Sequence, residues 1–304
     1  MPRSVDTVKY RMLAYLRNGA LGRDMDIAEK AEGIIRLALA EDLGTEGDLT
    51  TRAACPPDAS GRAVIISRVP CTVAGQPIAA KVFSLAVPGA EYRAVVDDGK
   101  EASPGQEIGE VAGPLEAILT GERTALNFLC HLSGIATLTA RLVAVASPYG
   151  VRIMDTRKTT PGLRVLEKYA VSMGGGTNHR QGLFDGVLIK DNHITAAGGI
   201  ELAVRRVKNA LGERFPIEVE AADLAQVRQA VDAGADIIML DNMSPETVAD
   251  AAALIGERAR TEVSGGVSPD NISSYVGLGI DSISLGFITH SAPAVDLSLE
   301  LTID

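Results

Sequence analysis

Val151-Arg152-Ile153-Met154-Asp155-Thr156-Arg157-Lys158 and Val187-Leu188-Ile189-Lys190-Asp191-Asn192 share one design, a short apolar run that stops abruptly at charged and polar residues. The design returns at Ile217-Glu218-Val219-Glu220, Ile237-Ile238-Met239-Leu240-Asp241-Asn242, Glu262-Val263-Ser264-Gly265-Gly266 and Ser282-Ile283-Ser284-Leu285-Gly286. Helical stretches separate most of these runs, so they read as parallel strands buried on both faces. The helices are punctuated. Ser244-Pro245-Glu246 and Ser268-Pro269-Asp270 each supply an N-cap, a proline at the first helical position and an early acid, while Asp223 caps a helix that stops at Gly234. Six such units follow one another at roughly twenty to thirty-six residues, near the repeat of an eight-stranded barrel but short of its count. The expected fold class is α/β, an open, incomplete TIM-like α/β barrel with a second, smaller α/β domain.

That second domain precedes the barrel. Apolar residues at Ile27, Ala31, Ile34, Ile35, Leu37 and Ala38 follow helical spacing until Gly44 ends the run. From Gly61 to Gly113, short segments such as Ala63-Val64-Ile65-Ile66 and Glu107-Ile108-Gly109-Glu110-Val111 alternate with Gly and Pro turns, as in a small sheet. Leu115 to Val145 is a leucine-rich stretch of one or two helices, with a break expected near Ser133-Gly134. Val295 to Ile303 alternates with period two, which predicts a half-exposed strand returning to the first domain's antiparallel sheet. The expected domains are an extension over 1–25, a domain over 26–125 completed by 290–304, and the barrel over 126–289.

The formal charge of -10 excludes a general nucleic-acid binder, which needs a basic face. Three widely spaced cysteines, Cys55, Cys71 and Cys130, make neither a disulfide framework nor a structural zinc site and point to a reducing cytoplasm. No signal peptide and no membrane segment is expected.

Against this acidic background, cations gathered after the strand ends call for a ligand with several negative charges. Arg157, Lys158, Arg180 and Lys190 sit at or near such ends, with His179 beside Arg180. His193 and His290 read equally well as loop or capping residues, and Cys130-His131 as core or interface packing. Glu220 and Asp241 suit sugar hydroxyls or a hydrated Mg2+ ion, and the amides of Ser264, Gly265, Gly266 and Gly286 suit a terminal phosphate. A phosphorylated sugar diphosphate is a ligand that needs all three.

With these residues in hand, the chain resembles the quinolinate phosphoribosyltransferase family. The likeness is carried by Ala38-Leu39-Ala40-Glu41-Asp42-Leu43-Gly44, Glu122-Arg123-Thr124-Ala125-Leu126-Asn127, Asp155 to Arg164, Asn178-His179-Arg180 and Thr289-His290-Ser291. It implies an open barrel beside an α/β sandwich domain, in a homodimer whose sites each borrow an arginine, matched by Arg123, from the neighbouring chain; association beyond the dimer is left open. It further implies that Arg157, His179, Arg180 and Lys190 hold the two carboxylates of quinolinate. Lys158 lies toward the diphosphate of 5-phosphoribosyl 1-diphosphate or a substrate carboxylate, and Glu220 and Asp241 toward ribose and magnesium. Ser264, Gly265, Gly266 and Gly286 hold the 5-phosphate. Val263 departs from a Glu-Ser-Ser pattern, and Phe287 stands where a smaller residue is common. Competing readings are a related molybdenum-transport-associated protein, a lyase with a Schiff base on Lys190, and a non-catalytic anion sensor.

Overall fold

The computed structural model describes residues 26–303, which group by proximity into two compact units. One gathers residues up to 140 with 158–176 and 287–303; the other gathers 141–157 and 177–286.

In the first unit, helices α1 (Ile27–Leu43) and α2 (Leu49–Ala54) precede β1 (Ser60–Ser67), β2 (Cys71–Thr72), α3 (Gln76–Ala86), β3 (Glu91–Ala94), β4 (Glu101–Ala102) and β5 (Glu107–Pro114). Asp26 caps α1 by accepting the Ala28 N–H, and Gly44 ends it at φ 52°, a conformation that favours glycine. The core sits between helices and sheet, where Ile35, Ile65, Ile78, Phe83 and Ile108 are fully buried, each contributing about 1.5–3 kcal/mol.

Helix α4 (Leu115–Ala146) is continuous over 32 residues, so the break expected near Ser133-Gly134 does not occur. Both residues serve packing instead. Ser133 Oγ accepts the Ala74 N–H at 3.0 Å and lies 3.2 Å from the Ala74 carbonyl, to which it donates. Gly134 lets the Pro293 carbonyl approach so closely that a Cβ there would stand 2.2 Å from its oxygen. The helix is long and apolar enough to cross a membrane by length and composition alone, yet half of its most apolar window is buried inside the protein.

The barrel strands are β6 (Arg152–Met154), β7 (Val187–Ile189), β8 (Ile217–Ala221), β9 (Ile237–Asp241), β10 (Arg260–Ser264) and β11 (Ser282–Ser284), one for each run read from the sequence. Helix α5 (Arg164–Met173) lies in the first unit, whereas α6 (Asp191–Ala197), α7 (Ile200–Leu211), α8 (Leu224–Asp232) and α9 (Pro245–Ile255) separate the later strands. The order β6-β11-β10-β9-β8-β7 is parallel at every pairing, and β6 and β7 form the two edges of an open α/β barrel. A single bridge continues the β6 edge: Thr177 N–H donates to the Ile153 carbonyl at 2.8 Å, opposite Met154.

Asp223 and Ser244 cap α8 and α9 as their sequences predict. Ser268-Pro269 does not start an α-helix; a short 3-10 turn at Ile272–Ser274 takes its place. Asn271 Oδ1 captures the Ser268 N–H at 2.7 Å while its Nδ2 donates to the Gly266 carbonyl, so the asparagine closes a turn where the serine was expected to open a helix.

After α10 (Phe287–His290), strand β12 (Leu297–Ile303) pairs antiparallel with β1 in the sheet β12-β1-β5-β3. The first unit is thus an α/β sandwich whose sheet includes the chain's final strand. Only Leu297 of β12 is buried; Ile303 is 65% exposed, so the strand is more open than its alternation predicts.

Gly134→Ala should cost about 1–3 kcal/mol, because the added methyl group has to displace backbone rather than a flexible side chain. The test is the denaturant midpoint at constant slope, and an unchanged midpoint would show that the Pro293 segment gives way freely.

Candidate active site

Parallel register brings the C-terminal residues of the barrel strands to one edge, with Asp241 paired to Ser264 and Ser264 to Ser284. Lys190 follows β7 and Glu220 lies near the end of β8; their side chains meet at 2.7 Å, Nζ to Oε2. The lysine side chain is 45% exposed and the glutamate 15%, so the pair faces outward from a largely buried carboxylate. Asp241 Oδ2 accepts from Asn242 Nδ2 at 2.9 Å.

Asn242 is the one non-glycine residue with positive φ among those described, at 54°. Its N–H donates to the Ser264 carbonyl, and its side chain lies where a Cβ on Gly265 would come within 2.4 Å of Oδ1. Gly265 and Gly266, at φ 77° and 68°, therefore form a turn that only glycines fit, beside a strained asparagine of the kind that gathers at functional sites. Val263 is fully buried and alternates with Ser264, so its side chain is on the face opposite the serine. Gly286 follows Leu285, whose N–H donates to the Met154 carbonyl at the end of β6.

Arg157 is half-buried beyond β6. The bridge at Thr177 delivers Asn178-His179-Arg180 beside it: the fully buried Asp155 accepts the His179 N–H at 2.8 Å. His179 and Arg180 are both buried, and Arg180 Nη1 donates to the Gly186 carbonyl at 3.2 Å. His193 is a capping residue, since its Nδ1 accepts the Lys190 N–H at 3.0 Å. His290 is exposed and contacts Ser291 Oγ.

One layer below the rim lie two acids that the sequence reading leaves as ordinary strand residues. Glu218 precedes Glu220 by two positions, which puts it on the same face of β8 about 7 Å deeper. Glu262 occupies β10, and β8 and β10 are alternate strands, the arrangement that builds one interior layer of a barrel. Both are buried. His179 Nε2 stands 3.1 Å from Glu218 Oε2 and 3.6 Å from Glu262 Oε1. Burial, and next the repulsion of Glu218, push the Glu262 carboxyl up to about 7. Among the described residues these three alone have the ligand atoms for a three-point metal site, but an imidazole N–H between carboxylates accounts for the spacing. Glu220 and Asp241 offer two carboxylates only, a number that suits Mg2+ held jointly with substrate phosphates.

Two candidates belong to the other unit. The Lys158 carbonyl accepts from the buried Thr289 Oγ1 at 2.7 Å, which ties down the Thr159-Thr160-Pro161-Gly162 loop together with the fully buried Glu167, whose Oε2 accepts the Thr160 N–H. Arg123 is 63% exposed, with Glu122 Oε1 at 3.9 Å. Cys130 is no activated nucleophile, because burial raises its thiol above the usual range.

Two clefts have no rim residue in their lining: one of about 490 Å³ between α7 and α8, and one of about 200 Å³ within the other unit, lined by Asp42, Thr124, Phe128 and His131. Neither matches the rim in convergent chemistry. The larger one is a groove of mixed surface charge, including Glu201, Arg205 and Asp232.

The model of the quinolinate phosphoribosyl transferase C-terminal domain matches residues 135–300, and that of the N-terminal domain matches residues 48–133. The chain belongs to the quinolinate phosphoribosyltransferase family. A Bacillus subtilis relative named as a probable nicotinate-nucleotide pyrophosphorylase (carboxylating) is 44% identical over 263 residues, which cover 86% of this chain and 90% of that one. Quinolinate phosphoribosyltransferase (decarboxylating) 1b of Nicotiana tabacum is 38% identical over 288 residues, covering 89% and 82%. The solved structure of the nicotinate-nucleotide pyrophosphorylase from Francisella tularensis superposes with a TM-score of 0.86 at 40% identity, over 92% of this chain and 100% of that one.

In this member of the family the polar layer beneath the rim has a consequence for stability. The Glu262 carboxyl titrates above its ordinary value of 4.5 when folded. Its favourable contribution is therefore complete below that ordinary value and is lost as pH rises through about 7. Glu262→Gln keeps the shape and removes the titration, so its melting temperature relative to the wild type should climb between about pH 5 and about pH 8. Scanning fluorimetry decides this, and a difference that does not change with pH sinks it.

Proposed function

We propose that this chain is a decarboxylating quinolinate phosphoribosyltransferase, converting quinolinate and 5-phosphoribosyl 1-diphosphate to nicotinate mononucleotide, diphosphate and CO2 in NAD biosynthesis. One observation carries the reading. Both domains of the family are matched across the chain, and the barrel rim carries a cation, two acids and a glycine turn at successive strand ends.

The ring nitrogen of quinolinate attacks C1 of the ribose as diphosphate leaves; the 2-carboxylate is then lost as CO2, and the electron pair left on ring carbon 2 takes up a proton, from water in the final account. The protein's part is positioning and charge. Arg157, Arg180 and Lys190 hold the carboxylates, with Lys158 on the diphosphate side. Glu220 and Asp241 bind ribose hydroxyls and put negative charge near the developing ribosyl cation. The Ser264-Gly265-Gly266 turn and Gly286 offer amides to the 5-phosphate. Mg2+, when bound by Glu220 and Asp241 with the diphosphate, would supply positive charge to the leaving oxygens.

A Schiff-base lyase has less support. Such lysines are activated by apolar burial or a neighbouring cation, whereas Lys190 is half exposed and faces Glu220. An anion sensor gains nothing from carboxylates at its rim. The reading includes a cytoplasmic homodimer in which Arg123, exposed and loosely paired, reaches the neighbour's site.

Incubation of the purified protein with quinolinate, 5-phosphoribosyl 1-diphosphate and Mg2+ should yield nicotinate mononucleotide and CO2 by mass, and no product when either substrate is omitted. Lys190→Ala should lower kcat/KM by at least about thirtyfold, the loss expected when a charge partner is truncated. An equal mixture of refolded Arg123→Ala and Arg157→Ala chains should recover about a quarter of wild-type activity, since half the dimers are mixed and each has one intact site. Full activity of the Arg123→Ala homodimer removes the shared site while leaving the reaction standing.

A further inference from the structure

His179 and Arg180 look like a pair of cations for one anion, but the hydrogen bonds around His179 give its ring another task. The Arg180 N–H donates to His179 Nδ1 at 2.7 Å, so Nδ1 is an acceptor and carries no proton. A neutral imidazole has one donor and one acceptor nitrogen, which leaves the proton on Nε2. That N–H points to Glu218 Oε2 at 3.1 Å, with Glu262 Oε1 at 3.6 Å. Both ring nitrogens are thus engaged inside the protein, and the ring is 8% exposed.

The rest of the segment is fixed with equal economy. Asp155 takes the His179 N–H, and Asp185 takes the N–H groups of Gln181 and Gly182 at 2.7 and 2.9 Å. The Arg180 N–H is the one between them, and it is held by the imidazole. Every backbone donor from His179 to Gly182 therefore ends on a side chain, which sets the Cα–Cβ direction from which the Arg180 guanidinium departs. Glu218 Oε1, the oxygen turned from the imidazole, and Glu262 Oε1, which stands just beyond hydrogen-bond distance of it, are both buried and make no hydrogen bond to the protein. Neither acid is explained by its own satisfaction.

We propose that Glu218 and Glu262 are positioning residues that lock His179 in its Nε2–H tautomer, and that His179 in turn fixes the Arg180 peptide and so aims the guanidinium at the substrate carboxylates. Glu218 is the direct acceptor, and Glu262 supports it with an oxygen 3.6 Å from the same ring nitrogen. The inference rests on the proposed function for its substrate and on the hydrogen bonds alone for its tautomer, so the two fail separately.

Selective 15N-histidine labelling gives four imidazoles to resolve, with His179→Asn to assign one of them. In the unliganded wild type, His179 should show an unprotonated Nδ1 and a protonated Nε2. Glu218→Gln, which can turn an amide N–H toward the ring, should erode that tautomer. It should also raise the KM for quinolinate by about tenfold or more, as for a lost hydrogen bond to a charged group. The KM for 5-phosphoribosyl 1-diphosphate should stay within about threefold. If the effect passes through Arg180, Glu218→Gln added to Arg180→Ala should cost no more than about threefold beyond Arg180→Ala alone.

A protonated Nδ1, or a stoichiometric metal ion lost with His179→Asn, overturns the tautomer lock. Independent, multiplying losses in the double variant overturn the route through Arg180. Absence of turnover in the wild type would remove the proposed function, and the nitrogen spectrum together with quinolinate binding by calorimetry would still decide the positioning role.

Discussion

Six short strands pairing in parallel are the constraint on which the remainder of the barrel unit rests. Strands of three to five residues bury little by themselves, and their value lies in direction. Because all six run the same way, each chain leaves its strand at one edge, and Lys190, Glu220, Asp241, Ser264 and Gly286 come to that edge without any long-range signal between them. The opening between β6 and β7 has its own use, for it is where Thr177 bridges to Met154 and brings His179 and Arg180 alongside.

The electrostatics work in two tiers. At the rim, cations sit beside single carboxylates with access to water, as in the Lys190–Glu220 pair. Beneath it, Glu218, Glu262 and His179 are removed from water, where an uncompensated charge is costly and the system relaxes by holding a proton on one acid. A packed apolar layer would have been more stable there. Its replacement by polar groups suggests that orientation of the residues above is what the barrel interior supplies, a use for which buried polar groups have precedent.

Much of this was legible in the sequence, for reasons that can be located. All six barrel strands were visible because each apolar run ends abruptly at polar residues, and the Asp223 and Ser244 caps marked where helices begin. The Ser133-Gly134 break was misread because a small residue carries the same letter whether it ends a helix or admits a neighbouring backbone. Ser268-Pro269 was misread because Asn271, three residues on, takes the Ser268 N–H and the Gly266 carbonyl into a turn of its own. Glu218 and Glu262 were missed although a signal existed: an acid in the middle of a strand buried on both faces has to meet a partner. Which partner is a matter of alternate strands, and strand adjacency is not written in local pattern. The glycine turn gained its meaning only when Asn242 was found against it.

The return of the chain to its first sheet has a further consequence, for biogenesis. Strand β1 lies between β5, made soon after it, and β12, made about 240 positions later. At ribosomal rates of about 5–20 residues per second, one edge of β1 waits on the order of tens of seconds for its neighbour. During that interval the nascent sandwich presents an open strand edge that any passing extended segment can pair with. Emergence of β12, rather than completion of the barrel, is the event that ends this exposure.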